Sequence, residues 1–187
     1  MSTVREPSST AAAPEGLTVV FGASGYVGTN LVPRLVAEGR RVRAVARQRR
    51  VLAARDWAGV ELAEANALEP ATLPPALAGC TTAYYLVHSM AAGRDFGRLD
   101  REAARNFAQA AALAGVGRII YLGGLVPAGA DSEHLVSRAE SGDMLRSTPV
   151  PVTEIRAGII VGPGSAAYEV MRDLVYHLPL MVTPKWV

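Results

Sequence analysis

The sequence predicts an α/β fold, a doubly wound parallel sheet with helices on both faces. Three observations predict it. Short apolar runs of strand length alternate along the chain with amphipathic runs of helix length, the pattern of strands joined by crossover helices. The first apolar run, Leu17–Phe21, passes through Gly22-Ala23-Ser24-Gly25-Tyr26-Val27-Gly28 into an amphipathic run, which is the order strand, tight turn, helix. Half of the 187 residues are apolar and only 6% are aromatic. Alanine, valine and leucine dominate, which suits helices laid on a buried parallel sheet.

The elements follow in order. After the first strand, Tyr26–Glu38 reads as a helix because Val27, Leu31, Leu35 and Val36 recur at three- and four-residue spacing, with Gly39 as its C-cap. Arg41–Ala46 alternates as a second strand and Val60–Ala63 is a short third. Pro70–Leu77 reads as a short helix with proline at its start, where a missing N–H costs little. Ala83–Val87 is an apolar fourth strand. A long helix from Phe96 to Ala114 ends near Gly115 and Gly117, and Arg118–Leu122 is the fifth strand. Glu133–Leu145 is a further helix with Ser132 in capping position. Pro151–Ile155 and Gly158–Val161 bracket a sixth strand, and Ala166–Tyr176 is the last helix.

Composition excludes several classes. The formal charge of +2 is too small to argue for nucleic acid. The single cysteine, Cys80, allows no disulfide framework within the chain, reads as a small hydrophobe and suits a reducing, cytoplasmic compartment. No apolar run reaches membrane-spanning length, so no membrane partner is expected. The three histidines lie far apart in sequence and none neighbours the cysteine, so no metal site is expected. Residues 1–16, rich in Ser, Thr, Ala and Pro, read as a disordered lead-in to one domain over 17–187. Pro179-Leu180-Met181-Val182-Thr183-Pro184-Lys185-Trp186-Val187 reads as a strand cut short, so the domain is expected to be truncated. A homo-oligomer or an additional C-terminal domain is left open.

In a doubly wound sheet, ligands bind at the carboxyl ends of the strands. The glycine turn after the first strand presents bare backbone N–H groups and a helix N-terminus to a phosphate. Gly22 serves the turn, Gly25 the approach of a pyrophosphate and Gly28 the packing of helix on sheet. Ser24, Tyr26 and Val27 lie in the same turn. The expected ligand is a dinucleotide. After the second strand comes Arg47, about twenty residues beyond the glycines, where an acid would mark NAD and an arginine accommodates the 2′-phosphate of NADP. A solvated basic loop, Arg47-Gln48-Arg49-Arg50, is the competing reading. After the third strand, Asn66 and Ala67 fall near an adenine, or Asn66 simply makes a turn. After the fourth come Val87 and His88, where backbone passes beneath a nicotinamide ribose; His88 is either a group near that ring or a strand-end histidine.

These residues resemble the short-chain dehydrogenase/reductase superfamily, with its Rossmann-type fold. The likeness is to its atypical and extended branches, which include NmrA-like proteins and sugar-nucleotide epimerases. It runs from Leu17 onward through the glycine turn, Ala83–Met90, Asn106–Ala111, Arg118–Leu125 and Arg156–Gly164. The resemblance implies NAD(P) binding, with NADP(H) favoured, and hydride transfer to a small-molecule substrate. Asn106 matches an asparagine common on that helix.

The family's catalytic Tyr-x-x-x-Lys pair is absent, as is its serine. The matching run is His134-Leu135-Val136-Ser137-Arg138, and the serine position falls on Gly123 or Gly124. His134 and Arg138 share a helix face and are the candidate catalytic residues, His134 as general acid and Arg138 as ribose holder. Tyr121 and Tyr168 are further acid candidates, and Ser132 and Ser137 flank the site. The charged residues Asp95, Asp100, Arg101, Glu102 and Arg105 read as a solvated helix face. The expectation is an atypical oxidoreductase. Its rival is an inactive NADP(H)-sensing module that signals to a partner.

Overall fold

A computed structural model of the chain describes residues 16–88, 95–126 and 132–178. The expected lead-in before Gly16 and the apolar segment from Pro179 lie outside the described residues, as do Ser89, Met90 and Pro127.

Six parallel strands form one sheet in the order β3-β2-β1-β4-β5-β6. They are β1 (Leu17–Phe21), β2 (Arg41–Ala46), β3 (Glu61–Glu64), β4 (Cys80–Tyr85), β5 (Arg118–Gly124) and β6 (Val152–Ala157). The helices are α1 (Tyr26–Ala37), α2 (Arg49–Ala53), α3 (Leu73–Leu77), α4 (Phe96–Leu113), α5 (Glu133–Leu145) and α6 (Ala166–His177). Strand order reverses between β1 and β4, so the crevice of a Rossmann-like sheet opens at the end of β1.

The central strand is wholly buried, and its side chains divide by parity. Leu17, Val19 and Phe21 join Leu73, Leu77, Tyr85, Phe107 and Ile119 in the core of one face. Val20 joins Val32, Leu35, Val42, Ala44 and Leu52 on the other. Helices therefore cover both faces, as the alternation of elements predicts. Under the crevice the rings of Phe21, Tyr85 and Phe107 interlock, Phe21 meeting Phe107 edge-on at 5.0 Å. Alanines at 103, 104, 108, 110 and 111 line the buried stripe of α4 and keep that long helix close to the sheet.

Four details differ from the sequence expectation. β4 begins at Cys80, because the left-handed Gly79 (φ +72°) turns the chain directly into register with Leu17. The basic stretch after β2 is not an open loop but coils into α2, anchored by the buried Leu52. Residues 158–161 continue past β6 without strand pairing. Asp100 is 5% exposed and turned toward α5 rather than solvated. It shares a helical phase with Ala103, Ala104 and Phe107, which carries it inward. α6 carries no buried residue.

Candidate functional site

The candidate cleft sits at the strand order's reversal and has a volume of about 380 Å³. Phe21, Gly22, Ser24 and Gly25 form its middle. Ala46 and Arg47 from the end of β2 and Asn66, Ala67 and Leu68 beyond β3 form one side. Leu86, Val87 and His88 beyond β4 form the other, with Leu99 and Ala103 of α4 behind. The volume is within the range of small-ligand pockets.

The three glycines of the turn are constrained differently. Gly22 has φ +95°, and a Cβ there would stand 3.0 Å from the Leu86 carbonyl oxygen. At Gly28 a Cβ would stand 2.6 Å from Ala23 Cα, so α1 could not approach the end of β1. At Gly25 the nearest atom would be the Gly22 oxygen at 3.4 Å, an ordinary contact. The protein's own packing thus accounts for Gly22 and Gly28. Gly25, exposed in the wall of the cleft, leaves room for something the chain does not supply.

The turn is held by Val45, whose carbonyl accepts from both Gly22 N–H and Ala23 N–H at 3.0 Å. Gly25 is the N-cap of α1, and no side chain caps the helix. The first turn of α1 carries no acidic residue, and its N–H groups lack intrahelical acceptors. This is the chemistry of an anion cradle. The Tyr26 hydroxyl lies against Gly162 in the loop after β6, where a Cβ would collide with it.

The arginines after β2 do different things. Arg49 donates from its backbone N–H to Glu64 Oε2 at 2.8 Å and from Nε to the Leu62 carbonyl at 3.3 Å. Arg50 donates to Gln48 Oε1 at 3.2 Å. Arg47 is exposed and makes no hydrogen bond or ion pair among the described residues. It stands between the cleft and an adjoining hollow of 370 Å³ formed with Ser24, Ala46, Gln48 and Val51.

Beyond β3, Asn66 builds its own turn. Its Nδ2 donates to Glu69 Oε1 at 2.7 Å and its Oδ1 accepts from Leu68 N–H at 3.2 Å. The second amide hydrogen of Asn66 meets no acceptor among the described residues. Asn106 on α4 donates to the Ala67 carbonyl at 2.9 Å and so pins this loop to the back of the cleft.

At the β4 end, both ring nitrogens of His88 are buried and neither completes a hydrogen bond among the described residues. Burial, then the Arg138 guanidinium, pushes its pKa down to about 4, with Asp100 and the Leu122 carbonyl opposing. The neutral imidazole is therefore the form present near pH 7.

The α5 candidates lie outside this lining. His134 is exposed and stacks on Phe96 with ring centroids 4.3 Å apart. Arg138 lays its stem over Gly124, where a Cβ would stand 3.0 Å from its Cδ. The Glu154 carboxylate closes over Gly123 in the same way and pairs with Arg146 and Arg156. A serine side chain at either glycine would have to displace these flexible side chains. Tyr121 is buried, donates from its hydroxyl to the Arg138 carbonyl at 2.8 Å, and has its pKa raised to about 12 chiefly by burial. Tyr168 lies on α6, away from the cleft lining. Ser132 occupies the N-cap of α5 without a side-chain cap bond. Ser137 is buried and donates to Asp100 Oδ2 at 3.1 Å. Asp100 and Ser137 join α4 to α5. The phase of Asp100 with buried alanines was the available signal for that seam. Among the described residues no group of side chains could hold a metal ion.

Residues 22–173 match the protein family described as NAD(P)H-binding. The chain is similar to sterol demethylase protein B of Methylococcus capsulatus, 32% identical over 171 residues that cover 78% of this chain and 52% of the other. It therefore spans about half the length of this curated relative. The WbmH enzyme of Bordetella bronchiseptica, solved with NAD+, has the same fold with a TM-score of 0.72 at 17% identity, covering 86% of this chain and 62% of that one. The Citrobacter sp. triphenylmethane reductase, solved with NADP(H), has a TM-score of 0.67 at 22% identity, covering 78% of this chain and 50% of that one.

Proposed function

The chain belongs to the NAD(P)H-binding family, and on that premise we propose that it is an NADP(H)-dependent oxidoreductase acting on a small organic molecule. The cofactor supplies the hydride, and the chain's own residues bind, orient and exclude water. The amides of Ser24 and of the first turn of α1 receive the diphosphate. Gly25 admits it close to the backbone. Asn66 and Ala67, fixed by Asn106, border the adenine. Val87 and His88 border the reactive half, with Arg138 as the cation behind them. A solved relative named as a reductase and holding NADP(H) supports a redox role.

The observation that carries the NADP preference is Arg47. Its guanidinium stands at the end of β2 with no hydrogen-bond or ion-pair partner among the described residues, while Arg49 and Arg50 are both engaged. A planar fork at that place suits a 2′-phosphate. Titration calorimetry with NADPH and NADH tests it. NADPH binds tighter, and Arg47→Ala weakens NADPH by roughly ten- to a hundredfold while leaving NADH unchanged. Equal affinities for both, unaltered in Arg47→Ala, remove the phosphate role.

One observation favours a second reading, a module that binds NADP(H) and senses its redox state. The position of the family's serine is covered by the Arg138 and Glu154 side chains, and His134 is parked on Phe96. Turnover separates the two. An enzyme oxidises NADPH with some member of a broad carbonyl panel, and more slowly in His134→Ala. A sensor binds both cofactor forms and turns over neither.

A further inference from the structure

We propose that His88 is the hydrogen-bonding contact for the carboxamide of the nicotinamide, so that this chain reads the reactive end of its cofactor through a histidine on β4 rather than through α5. The inference rests on the dinucleotide reading above.

The direction of the cleft places the reactive half. Arg47 and Asn66 mark the adenosine side at the ends of β2 and β3, and the uncapped start of α1 marks the diphosphate. A dinucleotide laid through both points continues across the strand-order reversal, over the end of β4. His88 is the polar side chain lining the cleft there.

The described residues around it leave its ring nitrogens without a hydrogen-bond partner. Tyr121 presents its ring at a centroid distance of 6.1 Å and spends its hydroxyl on Arg138. Arg138 carries only donors and acts on the imidazole as a positive charge. Asp100 accepts from Ser137 on the α5 side. The Leu122 carbonyl faces the ring without completing a hydrogen bond. Two buried orphan nitrogens are costly to keep, and proteins keep such groups where a ligand satisfies them. A neutral imidazole offers a donor on one nitrogen and an acceptor on the other, on diverging edges, and a carboxamide can answer either one, its oxygen taking the N–H or its N–H meeting the bare nitrogen. Held neutral, the ring also sets no charge against the oxidised nicotinamide, which is a cation.

The test compares NADPH with 2′-phospho-ADP-ribose, which keeps the adenosine, both phosphates of the bridge and both riboses but has no nicotinamide. Imidazole nitrogen-15 resonances of the wild-type chain are followed during each titration, so no variant need fold. The His88 nitrogens shift with NADPH and stay in place with 2′-phospho-ADP-ribose. By calorimetry, His88→Phe binds NADPH at least tenfold more weakly and 2′-phospho-ADP-ribose unchanged, and His88→Gln recovers part of the loss. Saturable NADPH binding with a silent His88, or identical His88 shifts with both ligands, overturns the inference and leaves the dinucleotide reading standing. Absence of binding by either ligand overturns both.

Discussion

Gly25 separates structure from function at the scale of one residue. Gly22 and Gly28 are demanded by the fold, one by a left-handed backbone and the other by contact with Ala23. Gly25 has an extended backbone (φ −75°, ψ 169°) that any residue adopts, and its Cβ position is open on the protein side. Gly25→Ala is therefore expected to change stability by less than about 1 kcal/mol and to weaken NADPH by roughly tenfold or more. Gly28→Ala, which must push α1 off the sheet, is expected to cost about 1–3 kcal/mol as overpacking. Chemical denaturation and calorimetry on the two variants check this. Comparable stability losses in both would remove the distinction. The glycine pattern and the lack of an acid after β2 were legible in the sequence because each depends on local chain geometry. That Arg47 has no partner among the described residues while Arg49 turns back on β3 was not, since the distinction arises from coiling of α2 and from Glu64 on another strand.

Whole elements were legible where hydrophobic period and turn residues agree. The six strands and the long helices follow from them. What the sequence hid was the seam between α4 and α5. Asp100 and Ser137 read as surface groups because polar side chains usually are, yet each fills the other's hydrogen-bonding need in a buried contact. His134 occupies the family's tyrosine position by spacing, but Phe96 on the neighbouring helix decides where its ring rests. Contacts of that kind depend on how two helices pack, which no single helix encodes.

The same seam gives a pH signature. His88 sits among Arg138, Asp100, Tyr121 and the Leu122 carbonyl, and its pKa falls from an ordinary 6.5 to about 4. Between those values the unfolded chain takes up a proton that the folded chain refuses. Its contribution to stability is therefore complete above about pH 6.5, falls as pH drops toward 4 and levels off below, with a slope of at most about 1.4 kcal/mol per pH unit. Urea unfolding of wild type and His88→Phe across this window measures it. The variant is expected to lose that part of the slope. Identical slopes would show that the ring is not held neutral.

At the scale of the molecule, two cores on opposite faces of one sheet flank the paired strands β1 and β4, at whose carboxyl ends the cleft opens. The β6 side is built differently. Ile155, Ile159, Val170, Val175 and Tyr176 are all more than half exposed, and α6 buries nothing. The cleft draws its lining from the ends of β1 to β4 and from α4, so on the proposed reading the dinucleotide is held by the well-packed half of the fold. A ligand bound there at a hundred times its dissociation constant adds about 2.7 kcal/mol of stability.

Backbone amide resonances followed through an NADPH titration test the central claim most directly. The account predicts saturable shifts that begin at Ser24–Gly28 and extend to Arg47, Ala67 and His88, with α6 unmoved. Saturation without movement of Ser24–Gly28, or no saturable change at all, would contradict it.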